Sequence, residues 1–382
     1  MKTGYVALIG RPNVGKSTLL NTLLGQKVAI ISDKPQTTRI SILGIKTSDK
    51  GQIIFVDNPG VHKPLHKLNK RMMSFVHSSL ETSDLVCLLI DATQPFGHGD
   101  EFVLETLKKI ATPMFLLINK VDISRKDKIL PIIDKYKDLL PFLEIIPVSA
   151  LKGTNLDVLE DKIYGILPEA DKIFDDEEIS SQSERFFLAE IIREKLLSHV
   201  RQELPFVTAV YIERIEDRSK EEAGEGRQPM EREESGPGGG RRGESAGVAA
   251  DETEERPGTE TGANGTLMEY EVGEKASPET RFRFKKSRAG QDTVETRGKA
   301  PAKKKRRWDK TFYIAASIFV ERDSHKKIVI GSQAKMIKLI GIEARREIQD
   351  YLEAKVYLDL SVKVRERWRD SADVLDLIEG QK

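Results

Sequence analysis

A glycine-rich segment near the start of the chain has the residue types and spacing needed to hold phosphate groups. Its members are Gly10, Arg11, Pro12, Asn13, Val14, Gly15, Lys16 and Ser17, with Thr18 opening a helical pattern that runs to Leu24. Glycines let successive backbone N–H groups turn toward a phosphate, and the start of a helix adds positive potential. Lys16 is expected to meet the β- and γ-phosphates, and the Ser17 hydroxyl to ligate Mg²⁺. The segment predicts a nucleoside triphosphate site but does not choose between ATP and GTP.

Two short segments farther along the chain predict recognition of guanine. They are Asn119, Lys120, Val121 and Asp122 after one apolar run, and Ser149, Ala150 and Leu151 after the next. Guanine presents two adjacent hydrogen-bond donors, which the Asp122 carboxylate can accept together, and adenine has no such pair. Ser149 and Ala150 are expected to approach the guanine carbonyl. The predicted ligands are therefore GTP, as substrate, and GDP, as product.

Residues that respond to the γ-phosphate are predicted in two more segments. The longer one comprises Asp57, Asn58, Pro59, Gly60 and Val61, directly after the apolar run Ile53 to Val56. Asp57 is expected to hold Mg²⁺ through water, while the Gly60 N–H senses the γ-phosphate. Thr38, on a polar segment before the next strand, is assigned the remaining Mg²⁺ contact. Ser17, Thr38 and Asp57 thus form the predicted metal site, and Lys16, Thr38 and Gly60 the predicted catalytic group.

Short apolar runs are expected to position these segments. The runs are Tyr5 to Ile9, Ile53 to Val56, Leu85 to Ile90, Met114 to Ile118 and Ile145 to Val148, and they alternate with helical patterns. Such alternation predicts an α/β fold, a doubly wound and mainly parallel sheet of the P-loop GTPase type. Each motif follows the C-terminal end of a strand, where open α/β sheets bind ligands. The chemistry is therefore expected along one edge of the sheet.

Composition divides the 382-residue chain into parts. Residues 1–167 are predicted to form the nucleotide-binding domain, 168–182 an acidic linker, and 183–382 a second domain. The elements expected in the second domain are a serine-capped helix at Ser183 to Val200, strands at Val207 to Ile215 and Phe312 to Glu321, a helix at Lys335 to Leu352 and a closing strand at Val356 to Val364. A stretch at about 217–307, rich in Gly, Glu, Arg and Pro, interrupts this domain and is predicted to be disordered.

Charge within the low-complexity stretch is segregated. Asp217 to Glu274 holds 16 acidic and 7 basic residues, whereas Lys275 to Arg307 holds 3 acidic and 13 basic residues. The run Lys303 to Arg307, with Trp308, is interpreted either as an arm that binds nucleic acid or as a solvated charge run. The basic half is alternatively expected to attract anionic lipid or to fold back on the acidic half.

Bulk properties limit the function classes. Lys and Arg total 62 against 61 for Asp and Glu, so the formal charge is +1 and any basic surface must be local. The single cysteine, Cys87, lies within an apolar run, which excludes an intrachain disulfide and fits a reducing compartment. The N-terminus is predicted to carry no targeting segment, and no apolar run reaches the length of a membrane span. A soluble, cytoplasmic protein is expected.

The sequence resembles the Era family of translation-factor-related GTPases. In the nucleotide-binding part, the residues that carry the resemblance are Gln36, Thr37, Thr38 and Arg39, together with Asn13 and Val61. In the second part, segments that resemble the family's α+β type II KH domain are Glu203 to Phe206, Val320 to Ser324, Ile340 to Arg345 and Lys355 to Leu360. The resemblance spans nearly the whole chain except the low-complexity stretch. It implies a GTPase that binds small-subunit (16S) ribosomal RNA near its 3′ end during 30S subunit assembly, with peripheral contact at the cytoplasmic face of the inner membrane.

The resemblance also implies a set of RNA-binding residues. They are the KH loop Gly331, Ser332, Gln333 and Ala334, and the flanking lysines Lys326, Lys327, Lys335 and Lys338. The loop is expected to let the nucleic-acid backbone approach closely. Ala334 stands where the family pattern has glycine, so its methyl group is expected to weaken that approach or to oppose a positive φ.

Three residues bear on hydrolysis through the same resemblance. Asn13 resembles an asparagine that helps to hold K⁺ in related GTPases, so K⁺ is a candidate second cation beside Mg²⁺. Val61 stands where some GTPases have a water-orienting glutamine, which predicts slow intrinsic hydrolysis, accelerated by a partner or by a rearranged switch. Asn58 replaces a threonine that is usual in the family, a small polar exchange expected to leave switching intact.

The sequence leaves more than one function open. The first is an enzyme that acts as a timer, in which the GTP form holds RNA on an immature small subunit and hydrolysis releases it. The second is a GTP-regulated membrane- or protein-binding module with a structural, weakly RNA-binding KH fold. A third function, in transfer-RNA modification, is disfavoured because such relatives lack the KH-like segments.

Overall fold

The computed structural model describes residues 1–219 and 308–381, and the strands in those ranges form two sheets. The strands are β1 (Lys2–Gly10), β2 (Ile42–Ser48), β3 (Gly51–Asp57), β4 (Leu85–Asp91), β5 (Met114–Asn119), β6 (Phe142–Pro147), β7 (Ala209–Asp217), β8 (Thr311–Val320) and β9 (Lys355–Val364). Six strands form one sheet in the order β2-β3-β1-β4-β5-β6, and β7, β8 and β9 form the second sheet in that order.

The six-stranded sheet is doubly wound and mainly parallel, as the sequence predicts. β1 lies between β3 and β4 and is parallel to both, and β5 and β6 continue the parallel order. Its central strands are continuous apolar runs because both faces of a parallel sheet are covered. All five predicted runs are strands, although β6 begins at Phe142 and ends at Pro147, earlier than expected.

One strand of this sheet has no counterpart among the sequence predictions. β2 pairs antiparallel with β3, from Ile42 opposite Asp57 to Ser48 opposite Gly51, and it forms one edge of the sheet. Its residues mix apolar side chains with glycine, lysine and threonine, so periodicity gives little signal. Pairing with β3 across a short connection defines the strand instead.

Helices cover both faces of the six-stranded sheet and also contribute to the packing of the smaller sheet. Within the described ranges they are α1 (Lys16–Leu24), α2 (Lys67–Thr82), α3 (His98–Leu107), α4 (Ile129–Tyr136), α5 (Leu156–Ile166), α6 (Glu184–His199), α7 (Leu204–Val207), α8 (Asp323–Ile330), α9 (Lys335–Leu352) and α10 (Ala372–Glu379). Alternate residues of β1 enter different cores: Val6 and Leu8 belong to one, and Ala7 and Ile9 to the other. The two cores hold the sheet between two helical layers.

The three-stranded sheet has its own core. β7 is antiparallel to β8, and β9 is parallel to β8. Ile192 of α6, Ile314 of β8 and Ile348 of α9 are fully buried together. The Ser183 side chain caps α6 by accepting a hydrogen bond from the Phe186 N–H at 3.1 Å, which confirms the predicted serine cap.

β9 does not close this part of the chain, contrary to expectation. After β9 come a 3₁₀ turn at Trp368–Asp370 and then α10. Trp368 and Leu375 are buried against Leu68 and Met72 of α2, so this final segment packs on the nucleotide-binding part. A helix of 8 residues spans about two turns, too short for its periodicity to stand out in the sequence.

The acidic segment at 168–182 is bonded to strands at one side of the six-stranded sheet. The Gln52 side chain accepts hydrogen bonds from the backbone N–H groups of Ile173 and Phe174, at 2.9 and 3.0 Å. The Ile45 N–H donates to the Ile179 carbonyl at 2.9 Å. These bonds satisfy backbone groups that an unattached linker would leave to water. The domain boundaries drawn from the sequence stay predictions.

The low-complexity stretch predicted at about 217–307 lies outside the described residues except for its first three positions. In the ranges that the structure describes, no helix combines the length and the apolar character needed to span a membrane.

Candidate nucleotide-binding site and its contacts with the C-terminal domain

The phosphate-binding loop joins β1 to α1, at the edge where the parallel strands end. Its glycines are required by space as well as by conformation. A Cβ on Gly10 would lie 2.4 Å from the Leu89 carbonyl oxygen, and one on Gly15 would lie 2.3 Å from the Asn119 side chain. Both glycines also have positive φ, at 154° and 101°. The loop therefore brings its backbone against β4 and the base-recognition residues.

Lys16 is a buried cation at the start of α1. Its side chain is held by the carbonyl oxygens of Gly10 and Arg11, at 3.2 and 3.0 Å, and the residue is 6% exposed. Burial lowers the pKa of Lys16 to about 8, and the nearby Asp57 carboxylate opposes that shift. A phosphate oxygen would give this ammonium group an anionic partner and favour its charged form.

Ser17, Thr38 and Asp57 meet as the sequence predicts for a metal site. The Ser17 hydroxyl donates to Asp57 Oδ2 at 2.6 Å, and Thr38 Oγ1 lies 3.0 Å from Ser17 Oγ and 3.3 Å from Asp57 Oδ2. Among the described residues, the buried Asp57 Oδ1 has no hydrogen-bond partner. Burial raises the pKa of Asp57, which a cation would reverse. Two hydroxyls and a carboxylate suit Mg²⁺, a hard cation that takes oxygen ligands.

Gly60 lies directly against the phosphate-binding loop. A Cβ added to Gly60 would lie 2.7 to 2.8 Å from atoms of Pro12, so no other residue fits without a shift. The following N–H, of Val61, donates to the Gly10 carbonyl at 3.1 Å. These contacts hold the Gly60–Val61 segment against the phosphate-binding loop.

Two residues of the predicted nucleotide-binding set, Asn58 and Val61, have side chains that are buried in the protein interior. The Val61 side chain is 1% exposed and belongs to the core between the sheet and its helices. The Asn58 side chain is buried, accepts from the Ser41 hydroxyl at 2.8 Å and donates to the Val56 carbonyl at 3.2 Å. Only their backbones are available to a nucleotide, since burial fixes both side chains in the sheet.

The base-recognition residues are braced against one another. The Ser149 hydroxyl donates to Asp122 Oδ1 at 2.7 Å and so orients the carboxylate assigned to guanine. Asn119 donates to the Val14 carbonyl at 2.8 Å and accepts from the Ala150 N–H at 2.9 Å. The N–H of Ala150, a residue expected with Ser149 to approach the guanine carbonyl, thus donates to Asn119 in this structure. Asn119 therefore connects the base-binding loop to the phosphate-binding loop through these two hydrogen bonds.

Other members of the predicted set hold the loops in place. Arg11 makes an ion pair with Asp100 at 2.8 Å, and the Asn13 side chain donates to the Asp33 carbonyl at 2.6 Å. Lys120 bonds to Asp91 at 2.6 Å and to the Asn13 carbonyl at 2.9 Å. Thr18 lies in the first turn of α1, and the Leu151 side chain is exposed.

The segment that carries Thr38 is also bonded to the C-terminal domain, a connection that sequence reasoning missed. The buried Arg39 donates to the carbonyls of Thr208 and Pro205, at 2.7 and 2.9 Å. Its guanidinium lies 5.6 Å from the centre of the Trp368 ring, within range of a cation–π contact. Burial, followed by the charge of Arg193, lowers the pKa of Arg39. The segment is therefore bonded to C-terminal elements directly after Thr38.

Arg193 of α6 makes the matching contact directly before Thr38. Its guanidinium donates to the Thr37 carbonyl and forms a two-point ion pair with Glu190, at 2.7 and 2.6 Å. The planar guanidinium fork allows both contacts at once. From the sequence, Arg39 is recognised only as part of the motif Gln36 to Arg39, and no sequence pattern points to Arg193.

Helix α2, which follows Gly60, forms the second contact with the C-terminal domain. The Lys67 N–H donates to Asp370 at 2.9 Å, and Arg71 pairs with Asp376 at 2.6 Å. Leu68 and Met72 of the same helix pack on Trp368. Both segments that flank the γ-phosphate position thus touch the C-terminal domain.

The predicted RNA-binding loop joins α8 to α9. Gly331, Gln333 and Ala334 have positive φ, at 73°, 52° and 57°. Ala334 therefore adopts the conformation that its methyl group was expected to oppose, at an energetic cost that glycine would avoid. The flanking Lys327, Lys335 and Lys338 are exposed, and Lys326 is partly buried.

Comparisons with known proteins find relatives of the whole chain. A family model described as 50S ribosome-binding GTPase matches residues 5–120, and a KH domain model matches residues 299–369. The chain is similar, at 32% identity and a TM-score of 0.72, to a crystal structure of Era in complex with MgGDPNP and nucleotides 1506–1542 of 16S ribosomal RNA, with 99% of this chain and 98% of that chain covered. It is equally similar, at 32% identity and a TM-score of 0.72, to a variant of Aquifex aeolicus Era bound to GDP.AlF4⁻, with 99% of each chain covered.

Proposed function

The chain belongs to the Era family of GTPases, and we propose that its nucleotide state controls its affinity for ribosomal RNA. In this proposal the GTP form binds small-subunit (16S) ribosomal RNA near its 3′ end on an assembling 30S subunit. Hydrolysis to GDP then weakens the complex, so the protein acts as a timer. The RNA surface is the KH loop with its flanking lysines.

The residues at the strand ends divide the work of hydrolysis. Lys16 neutralises charge that develops on the β- and γ-phosphate oxygens, and the Gly60 N–H donates to the γ-phosphate. Ser17, Thr38 and Asp57 would hold Mg²⁺, which supplies positive charge to the same oxygens. Asp122, oriented by Ser149, accepts from guanine.

The observation that carries the proposal is the attachment of the segment from Thr37 to Arg39 to both parts of the chain. Thr38 meets Ser17 and Asp57 through its hydroxyl, while Arg39 donates to the carbonyls of Thr208 and Pro205. In GTPase switches, loss of the γ-phosphate releases a threonine at this position from its contact with Mg²⁺. A change at Thr38 therefore acts directly on bonds that reach the RNA-binding part.

Slow intrinsic hydrolysis is expected because the Val61 side chain is buried. No side chain at that position reaches an attacking water, so acceleration by a partner or by movement of the switch segment is proposed. K⁺ beside Asn13 is a candidate source of further positive charge. Hydrolysis rates that are equal in K⁺ and Na⁺ buffers would remove K⁺ from the mechanism.

Equilibrium binding of a labelled RNA tests the proposal. The RNA carries the 3′ end of small-subunit ribosomal RNA, and its affinity is measured at fixed salt with a GTP analogue, with GDP and without nucleotide. A scrambled RNA of equal length and composition is the control, because phosphate contacts alone bind both RNAs alike. We expect affinity for the cognate RNA to be roughly 5- to 150-fold higher with the GTP analogue than with GDP.

Equal, salt-sensitive binding of the cognate and scrambled RNAs would contradict the timer. The GTP-regulated membrane- or protein-binding module would then be the better account. Peripheral membrane contact, proposed for a cytoplasmic protein, is tested separately by co-sedimentation with vesicles of anionic and of neutral lipid.

A further inference from the structure

His62 is the point at which both switch segments and α2 meet. One ring nitrogen, Nδ1, lies 2.7 Å from the Gly60 carbonyl oxygen. The other, Nε2, lies 2.8 Å from Asn69 Nδ2 and 3.3 Å from Gln36 Nε2. The residue before His62 is the buried Val61, so His62 is the first side chain after Gly60 that contacts other polar groups of the switches.

The hydrogen bonds of Asn69 determine which ring nitrogen carries the proton. Asn69 is 4% exposed, and its Oδ1 accepts from the His66 N–H at 3.1 Å, which directs its NH₂ group toward His62. Nε2 of His62 must therefore accept this hydrogen bond. In a neutral imidazole the proton is then on Nδ1, which donates to the Gly60 carbonyl.

This arrangement joins the Gly60 peptide to the N-terminus of α2. Asn69 is the third residue of α2. His66 lies directly before the helix, and its Nδ1 is 3.3 Å from Asp370 Oδ2. The Lys67 N–H also donates to Asp370. Hydrogen bonds therefore run without a break from the Gly60 carbonyl through His62 and Asn69 to the 3₁₀ turn of the C-terminal domain.

We propose that His62 is a positioning residue that couples the Gly60 peptide to α2 and, through it, to the C-terminal domain. The Nδ1–H bond fixes the plane of the Gly60–Val61 peptide, whose Val61 N–H donates to the Gly10 carbonyl. This restricts rotation about the Gly60 Cα and hence the orientation of the adjoining peptide, whose Gly60 N–H is proposed to face the γ-phosphate. The Nε2 bond transmits a change in that peptide to α2. The inference rests on the proposed function and gives each ring nitrogen a different task.

Two substitutions separate the tasks because each side chain keeps one nitrogen position. In His62→Asn the amide nitrogen takes the place of Nδ1, so the bond to Gly60 is kept and the bond to Asn69 is lost. In His62→Gln the terminal amide reaches the place of Nε2, so the bond to Asn69 is kept and the bond to Gly60 is lost. His62→Ala loses both bonds. His77→Ala, at an exposed histidine of α2, is the matched control.

Three measurements on the full chain are made: affinity for GDP by calorimetry, the single-turnover rate of GTP hydrolysis, and the ratio of RNA affinities with GTP analogue and with GDP. We expect His62→Ala to keep GDP affinity, to lower the hydrolysis rate about tenfold or more and to bring the RNA ratio to about one. His62→Asn should restore hydrolysis but not the RNA ratio. His62→Gln should keep part of the RNA ratio and hydrolyse slowly.

Wild-type values for all His62 variants would overturn the inference, and so would His62→Asn and His62→Gln variants that both match His62→Ala. Retained GDP affinity shows that a variant is folded. If the wild-type protein itself has equal RNA affinity in both nucleotide states, the proposed function fails. The hydrolysis rates then decide the role of His62 alone: a slow His62→Ala with a restored His62→Asn supports it, and equal rates refute it.

Discussion

The nucleotide edge of the six-stranded sheet and the KH loop are both built to receive phosphate groups, but they differ in how they are held. At the nucleotide edge, Lys16 and Asp57 are buried and held by hydrogen bonds to the Gly10 carbonyl and the Ser17 hydroxyl, respectively. At the KH loop, Lys335 and Lys338 are exposed, and two successive non-glycine residues, Gln333 and Ala334, have positive φ.

The difference shows where each region places its energetic cost. Burial of Lys16 and Asp57 opposes their charged forms before any ligand arrives, so a bound nucleotide recovers that cost as affinity. At the KH loop the only energetic cost is that of the backbone conformation, and the charges of its lysines are screened by water and salt. A substitution at the nucleotide edge should therefore have large, salt-insensitive effects, and one at the KH loop should have small, salt-sensitive effects.

Lys16→Met should give the largest effect. We expect GTP affinity or turnover to fall roughly 100-fold or more, because the phosphate oxygens lose a buried cation. Without nucleotide the variant should be more stable than the wild type by about 1–3 kcal/mol, since a group whose pKa lies near 8 in the fold and 10.5 outside it destabilises the fold while it is charged. Calorimetry and thermal unfolding measure the two effects.

The pH dependence of that stability gain has a definite sign. The pKa of Lys16 is lowered by folding, so the unfolded chain binds more protons between pH 8 and 10.5, and wild-type stability rises with pH in that window. The advantage of Lys16→Met should therefore be complete below pH 8 and shrink as the pH is raised to 10.5. An advantage that stays constant with pH would show that Lys16 is not a strained cation.

Arg39→Met tests whether the two regions are coupled. The methionine keeps apolar contact with Trp368, but the carbonyls of Thr208 and Pro205 lose their donors, at a cost of roughly 1–3 kcal/mol. We expect nucleotide affinity to be unchanged. The ratio of the RNA affinity with GTP analogue to the RNA affinity with GDP should fall to about one. Thermal unfolding and RNA binding in both nucleotide states check this.

Arg71→Met is the matched control for that variant. Arg71 also bridges to the C-terminal domain, through the exposed Asp376 and the partly buried Glu379, and ion pairs near the surface contribute little, so its loss should cost about 1 kcal/mol or less. If the Arg39→Met and Arg71→Met variants change the RNA preference equally, the contact of α2 carries the coupling as much as the segment after Thr38 does.

Most of the nucleotide edge could be predicted from the sequence because its signals are local. Each signal lies within a short stretch of chain. Examples are Gly10 and Gly15 after one apolar run and the carboxylate of Asp57 after another. The Arg39 contact with Trp368 joins residues 329 positions apart, which no local pattern reveals. The burial of the Val61 and Asn58 side chains likewise depends on strand register, which a local motif does not reveal. The motif itself requires only the backbones of these two residues.

Lys335→Glu should weaken RNA binding about tenfold at low salt, with little change in GTP hydrolysis. The lysine is exposed beside the KH loop, so the reversed charge acts on RNA phosphates without disturbing a core. The effect should shrink as salt is raised, in contrast to that of Lys16→Met. Lys152→Glu, at an exposed lysine of the nucleotide-binding part, is the control. Equal RNA affinity in both variants would place the RNA surface elsewhere.

Ala334→Gly should have the smallest effect and the opposite sign. Ala334 has φ 57° and ψ 24°, a conformation that costs an L-residue roughly 1 kcal/mol relative to glycine, so the variant should be more stable by up to that amount. Removal of the methyl group also lets an RNA backbone approach the loop, and we expect affinity to rise by about threefold. Thermal unfolding and RNA binding separate the two effects. A more stable variant with unchanged RNA affinity would mean that the methyl group affects only the fold, and that the lysines alone determine binding at this loop.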